Sequence, residues 1–350
     1  MKGLELAREY YFSVGKPVLE AQFPEYLPRI AAGFAGEGSE CLGYDDDISR
    51  DHDFGPGFCL WLTKEDYRAV GRQMQQVYQN LPGEFRGFGS RRMAGCSKGR
   101  VGVMEISSFY GRFIGNEQPP ASLVRWLYLP EDKLAAAVSG EVFEDPLGSF
   151  SRIRQVLSGY YPEDVRVKKI AARAVMMAQS GQYNYGRCMR RGDVVAAGLA
   201  EAEFVRSALS MIYLLNRRYA PFYKWMFRGL SREDILGEAL PLLKELSGLG
   251  VQQQAWSLPE QGMQQARSLP GQGIQQAQCF SVRGTEQREQ YDGLQDRKLE
   301  FIEEICAMVV RELQRQGLTG RQEDFLEIHA WEVMERIQDP ELRKRHVMEG

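Results

Sequence analysis

A glycine–serine pair followed by two closely spaced aspartates contains the residue types in this chain best suited to chemistry. Gly38 and Ser39 precede Asp51 and Asp53, which are separated by a single residue. Alternate side chains of a β-strand point to the same face, so we expect the two aspartates to lie on a strand and to project together towards divalent cations. Small residues let backbone N–H groups and a hydroxyl approach a phosphate. The combination predicts metal-assisted chemistry on a nucleotide.

A third carboxylate lies in the apolar segment 101–107, which we predict to be a strand. Glu105 stands there between two apolar residues. Two Mg²⁺ ions about 3.5–4 Å apart can hold the attacking and leaving oxygens of a nucleotidyl transfer. Because Mg²⁺ takes a few carboxylates alongside substrate phosphates, we predict Asp51, Asp53 and Glu105 as catalytic metal ligands for an NTP substrate. The alternative for Glu105 is an edge-strand side chain that faces water.

This pattern resembles the polymerase-β-type nucleotidyltransferase superfamily. Within it, the sequences Gly-Tyr-Asp-Asp at 43–46 and Ser-Arg-Asp-His-Asp-Phe-Gly at 49–55 are similar to an uncharacterised bacterial branch that carries an appended helical domain. The resemblance implies that Gly38 and Ser39 bind the triphosphate, that Asp51 and Asp53 bind both metal ions, and that Glu105 binds the catalytic one. It further implies transfer of an NMP group with release of pyrophosphate.

Hydrophobic periodicity predicts an α+β protein in two parts. Strands and helices alternate up to about residue 125, which indicates a small mixed-sheet domain over 1–125, and apolar residues at three- and four-residue spacing then predict a helical bundle over 126–350. Inside the second part, Gln-Gln-Ala recurs at 253, 264 and 275. Prolines and glycines interrupt these units, so we expect 251–280 to be a flexible insertion without catalytic meaning.

The helical part should supply the other wall of the cleft. Arg206, Tyr213, Arg217 and Lys224 recur at steps of seven, four and seven residues, which places them roughly on one helical face. We predict Arg217 and Lys224 as nucleotide-phosphate contacts. A solvated basic stripe is the alternative that the sequence leaves open.

Two further groups near the aspartates have simpler explanations. His52 alternates with the aspartates and should face away from them, so we expect it to pack or hydrogen-bond beneath the site. Asp45, Asp46 and Asp47 form an acidic loop. A solvated turn explains this loop, and a role in positioning substrate or metal is the alternative.

Composition narrows the class of protein. The chain has 350 residues, a formal net charge of −3 and six scattered cysteines, so no overall basic field attracts nucleic acid and a reduced, cytoplasmic protein is expected. The N-terminal residues carry charges where a signal peptide has its apolar core, and no apolar run reaches the roughly 20 residues of a membrane span. We therefore expect no membrane association.

The acceptor of the predicted transfer is the least determined part of the reaction. A small molecule or a protein is favoured over nucleic acid, because the chain lacks a strong basic stripe. The sequence leaves the base of the NTP and the oligomeric state undetermined. The alternative function is a non-catalytic nucleotide-binding or toxin–antitoxin-type interaction protein that retains the fold.

Overall fold

The computed structural model describes residues 1–51, 53–91, 99–249 and 285–350, and for 285–296 it describes the backbone alone. The α+β prediction is confirmed, since a small mixed sheet of four strands is combined with many helices. The strands are β1 (Ala31–Phe34), β2 (Cys59–Leu62), β3 (Gly102–Glu105) and β4 (Glu141–Glu144).

Strand order and direction decide which chain segments meet at each edge of the sheet. The order is β3-β2-β1-β4. β1 runs antiparallel to both β2 and β4, whereas β2 and β3 are parallel, with Cys59 opposite Gly102 and Leu62 opposite Glu105. The end of β1 and the starts of β2, β3 and β4 therefore lie at the same edge.

The sheet is packed on both faces, as the alternation of side chains in β2 requires. Cys59 and Trp61 belong to the large cluster that contains the helical part of the molecule, and Trp61 stacks on Phe150 with ring centroids 3.9 Å apart. Leu60 and Leu62 belong to a second cluster, formed with the N-terminal helices. Because both faces are covered, only the edges and ends of the strands remain for ligands.

The helices before β4 flank the sheet, and most of the later ones pack on one another. The long helix Glu163–Met177 continues through a π-helical segment, Ala178–Tyr185, and packs between Val194–Leu215 and Leu326–Glu335. The α-helices within the described ranges are Gly3–Tyr10, Lys16–Gln22, Ser39–Leu42, Lys64–Asp66, Arg72–Gln79, Ile106–Ile114, Leu123–Leu127, Glu131–Val138, Ser149–Ser158, Glu163–Met177, Gly186–Arg190, Val194–Leu215, Tyr223–Met226, Ala239–Gly248, Thr285–Arg315, Leu326–Glu335 and Pro340–Lys344.

The sheet extends past the boundary that we expected near residue 125. β4 comes from Glu141–Glu144 and pairs with β1, and one apolar cluster joins residues from Ala7 to Val347. The sheet and the later helices therefore meet in one apolar core, and residue 125 does not separate them. The predicted insertion 251–280 lies outside the described residues. No helix within the described ranges combines the length and apolar character needed to cross a bilayer.

Candidate functional site

One cavity brings together most of the residues that we singled out. It has a volume of about 580 Å³, within the range of small-molecule sites. Gly38, Ser39, Asp51 and Asp53 line it from the sheet side, and Lys224 lines it from the helical side. The cavity therefore opens at the edge where β1 ends and β2 begins.

The Gly38–Ser39 turn depends on glycine. Gly38 has φ of +118° and immediately precedes the short helix Ser39–Leu42. A Cβ atom at this position would overlap Nη2 of Arg100. The positive φ therefore favours glycine at this position, and a side chain there would have to displace the Arg100 guanidinium.

The two aspartates lie in a loop, and our expectation that they share a strand face is wrong. Asp51 follows a 3₁₀ turn over Ile48–Arg50, and Asp53 has a left-handed backbone with φ of +56°. β2 begins only at Cys59, because the intervening glycines and proline interrupt the extended pattern. The loop, rather than the alternation of a strand, brings both aspartates to the cavity. His52, between them, lies outside the described residues.

Arg100 is the direct partner of Asp53. Its Nη1 lies 3.1 Å from Oδ2 of Asp53, and its Nη2 donates to the carbonyl of Glu37. The Asp53 side chain is 12% exposed and that of Arg100 is 20% exposed. A cation of the protein therefore already neutralises one of the two predicted metal ligands.

A second arginine fixes the backbone of this loop. Arg91 makes a two-pronged ion pair with Glu40, at 2.7 and 3.0 Å, and both side chains are about 5% exposed. The same guanidinium donates to the carbonyls of Asp53 and Gly55. Burial raises the pKa of the Glu40 carboxyl, and Arg91 opposes that rise. Sequence reasoning missed this pair, because nothing in the local pattern indicates that residues 40 and 91 meet.

Glu105 does not line this cavity. It is the last residue of β3, opposite Leu62, whereas the cavity lies at the edge where β3 starts. Three residues of extended chain separate the two ends by about 10 Å. Glu105 accepts a hydrogen bond from Ser107 and lines a different cavity with Lys64. The structure thus brings two of the three predicted carboxylates together.

The opposite wall comes from Glu131–Val138 and from the segment after Val194–Leu215. Lys133 pairs with Glu37 at 2.5 Å, and both residues line the cavity. Lys224 is exposed, and its Nζ lies 5.1 Å from the ring centroid of Trp225, which also lines the cavity. This wall therefore brings ammonium groups and an aromatic surface towards the aspartate loop.

Arg217 is not part of this wall, and the helix does not persist far enough to place Arg217 and Lys224 on one helical face. The helix ends at Leu215, Arg217 has φ of +52°, and its guanidinium pairs with Glu163 at 2.8 Å. Lys224 belongs to a separate short helix, Tyr223–Met226. Pro221 lies between Arg217 and Lys224, and a proline at this position would not let one helix continue through both.

The acidic loop divides into three different environments. Asp45 is buried and accepts a hydrogen bond from the backbone N–H of Gly3. Asp46 lines the cavity, and hydrogen bonds from Ser49 lower the pKa of its carboxyl. Asp47 is exposed and pairs with Arg50. The expectation of a solvated turn therefore holds for Asp47, whereas Asp45 anchors the N-terminus.

A second cavity adjoins the first. It has a volume of about 460 Å³, and Asp132, Pro221 and Phe222 line both cavities. Glu131 lies in the second cavity and pairs with Arg173. Two ligands could occupy the neighbouring cavities and meet at Asp132.

Asp51 and Asp53 are the carboxylates of the aspartate loop that line the cavity. Across the described ranges, no cluster of three or more acidic, histidine or cysteine side chains has the arrangement of a metal site. Mg²⁺ commonly takes only one or two carboxylates and completes its coordination with substrate phosphates and water. Asp51 and Asp53 are thus the residues that could hold such a cation.

Part of the chain matches a family model. Residues 126–226 match a family described as a domain of unknown function, DUF4037. The match covers less than half of the chain, and it includes Asp132, Lys133 and Lys224 of the cavity wall but not the glycine–serine turn or the aspartates. No curated protein matches the chain, and no solved structure does.

Proposed function

We propose that the protein is a Mg²⁺-dependent nucleotidyltransferase, which moves an NMP group from an NTP to an acceptor. One observation carries this proposal: Gly38, Ser39, Asp51 and Asp53 line a single cavity whose opposite wall presents Lys224. A triphosphate needs backbone donors, a cation held by carboxylates, and further positive charge. All of these groups face the same cavity.

Each group that lines the cavity would contact a different part of the nucleotide. Asp51 and Asp53 would hold the cation, which supplies charge neutralisation for the phosphates. Ser39 and the backbone at Gly38 would hold phosphate oxygens. Lys224 adds a positive charge on the helical side, and Trp225 offers an apolar surface against which a nucleobase can rest.

The adjoining cavity would hold the acceptor. Asp132 lies at the junction of the two cavities and makes no hydrogen bond or ion pair with any described residue. A carboxylate at this point can accept the proton of an acceptor hydroxyl as that oxygen attacks the α-phosphorus and pyrophosphate leaves. The size of the second cavity suits a small molecule or a protein side chain.

Pyrophosphate release tests the proposal. The protein should release pyrophosphate from at least one NTP with Mg²⁺ and a mixture of candidate acceptors, and Asp53→Asn should abolish the release. Glu105→Gln is the matched control, since it removes a carboxylate from the other end of β3. Equal background in the wild type and Asp53→Asn would contradict nucleotidyl transfer.

The second candidate function is nucleotide binding without turnover. The pairing of Asp53 with Arg100 favours binding without turnover, because the guanidinium already contacts the carboxylate that a catalytic cation would need. This candidate predicts Mg²⁺-dependent binding of an NTP, seen by calorimetry, with no product in the presence of any acceptor. Nucleotide consumption that depends on Asp53 would exclude it.

A further inference from the structure

The parallel pairing of β2 and β3 places Arg100 beside the aspartate loop. Because Cys59 lies opposite Gly102, the residues that precede the two strands arrive at the same edge of the sheet. Asp53 precedes β2, Arg100 precedes β3, and their side chains meet at 3.1 Å. The position beside the aspartate loop is therefore filled by a cation.

The stretch of chain that leads into β3 offers no carboxylate to replace it. Between Glu84 and Glu105 there is no Asp or Glu, and the same stretch holds five basic residues. Glu105 lies at the far end of β3, about 10 Å along the strand from Gly102. Arg91 and Arg100 of this stretch both contact Asp53, and the stretch contains no acidic residue that could take the place of Arg100.

We infer that the site binds an NTP with one divalent cation, and that Arg100 supplies the positive charge that a second cation would otherwise supply. This inference rests on the proposed function. Mg²⁺ held by Asp51 and Asp53 needs only phosphate oxygens and water to complete its coordination. A guanidinium forms paired hydrogen bonds with phosphate oxygens, for which its planar geometry is well suited.

Arg100 lies where it could exchange Asp53 for the phosphates of a bound nucleotide. Its Nη2 lies against Gly38 and donates to the carbonyl of Glu37, so the guanidinium borders both the turn and Asp53 in the same cavity. A cation that binds Asp53 competes with the guanidinium for the same carboxylate. The incoming triphosphate offers Arg100 a more strongly charged partner, so we expect the guanidinium to shift from Asp53 to the phosphates.

Counting bound metal ions tests the inference without requiring turnover. Full-length protein is titrated with Mn²⁺ in the presence of a non-hydrolysable ATP or GTP analogue, and bound Mn²⁺ is measured by electron paramagnetic resonance. We expect one Mn²⁺ per bound nucleotide. Two Mn²⁺ ions per nucleotide would overturn the inference while supporting the proposed function, whereas no nucleotide binding would overturn both.

Variants at Arg100 provide the second measurement. Arg100→Ala should weaken analogue binding by roughly tenfold or more, as expected for the loss of charged hydrogen bonds, and Arg100→Lys should restore part of the affinity. Arg68→Ala is the matched control, because Arg68 is exposed and outside the cavity, and it should bind as the wild type does. Arg100→Asp should acquire a second Mn²⁺. Unchanged or tighter nucleotide binding by Arg100→Ala would overturn the role of Arg100.

Discussion

The buried pair of Arg91 and Glu40 gives the sharpest prediction about how the site is held together. Arg91→Met removes the guanidinium, keeps an apolar side chain of similar length, and leaves the Glu40 carboxylate about 5% exposed without its partner. Removing one member of a buried ion pair costs about 3–5 kcal/mol of unfolding free energy. We expect Arg91→Met to lose that amount in urea or guanidinium denaturation at pH 7.

The double variant separates the charge from the packing. Because replacing a whole buried pair by apolar residues is often close to neutral, Arg91→Met combined with Glu40→Met should be more stable than Arg91→Met alone, by about 2 kcal/mol. Arg91 also holds the carbonyls of Asp53 and Gly55, so both variants should bind a Mg²⁺–NTP analogue more weakly.

Acidity adds an independent check on the same pair. Burial raises the pKa of Glu40 above its ordinary value of 4.5, and Arg91 opposes that rise, so the pKa should rise further in Arg91→Met. A group whose pKa is raised by folding stabilises the fold at low pH and loses that contribution as pH increases through the folded value. The loss of unfolding free energy in Arg91→Met relative to the wild type should therefore become smaller as the pH is lowered from 7 to 5. A loss below 1 kcal/mol, or a deficit that grows with acid, would refute this reasoning.

Three further predictions concern the turn, the helical wall and a buried lysine. Gly38→Ala should cost about 1–3 kcal/mol in thermal unfolding and abolish nucleotide binding, whereas Gly43→Ala, with φ of +74° and open space around it, should affect stability alone. Lys224→Ala should weaken nucleotide binding about fivefold at low salt, whereas Arg217→Ala, outside the cavity, should leave the affinity within about twofold. Burial lowers the pKa of Lys169 from 10.5 to about 8. Between pH 7.5 and pH 9.5 the unfolded chain therefore binds more protons at this lysine than the folded protein does. The unfolding free energy of the wild type should rise over this range by about 2 kcal/mol relative to that of Lys169→Met. A difference in unfolding free energy between wild type and Lys169→Met that does not change with pH in urea denaturation would contradict the last prediction. Equal losses of nucleotide affinity in Lys224→Ala and Arg217→Ala would contradict the second.

Local patterns predicted the components of the sheet better than their arrangement. The apolar run that contains Glu105 was correctly predicted to be a strand, since β3 ends at that residue. The run could not show at which edge the strand ends, because that depends on pairing with β2. The strand placement of Asp51 and Asp53 was wrong, because a loop and not a strand brings them to the cavity that they line.

The helical wall shows the same limit. Spacing placed Arg217 and Lys224 on one face, but the helix ends at Leu215 and the chain turns before Pro221. Lys224 then enters the cavity while Arg217 pairs with Glu163. A proline signals such a break in the sequence, yet the direction of the chain after it is set by tertiary packing.

The sequence alone determined which charges are present: two aspartates after a glycine–serine pair, and no acidic residue between Glu84 and Glu105. Only the tertiary structure decided which of these charges are neighbours. Parallel pairing of β2 with β3 brings Arg100 to Asp53 and places Glu105 at the other edge. Strand direction and register join residues that are distant in the chain, and local periodicity contains no information about such contacts.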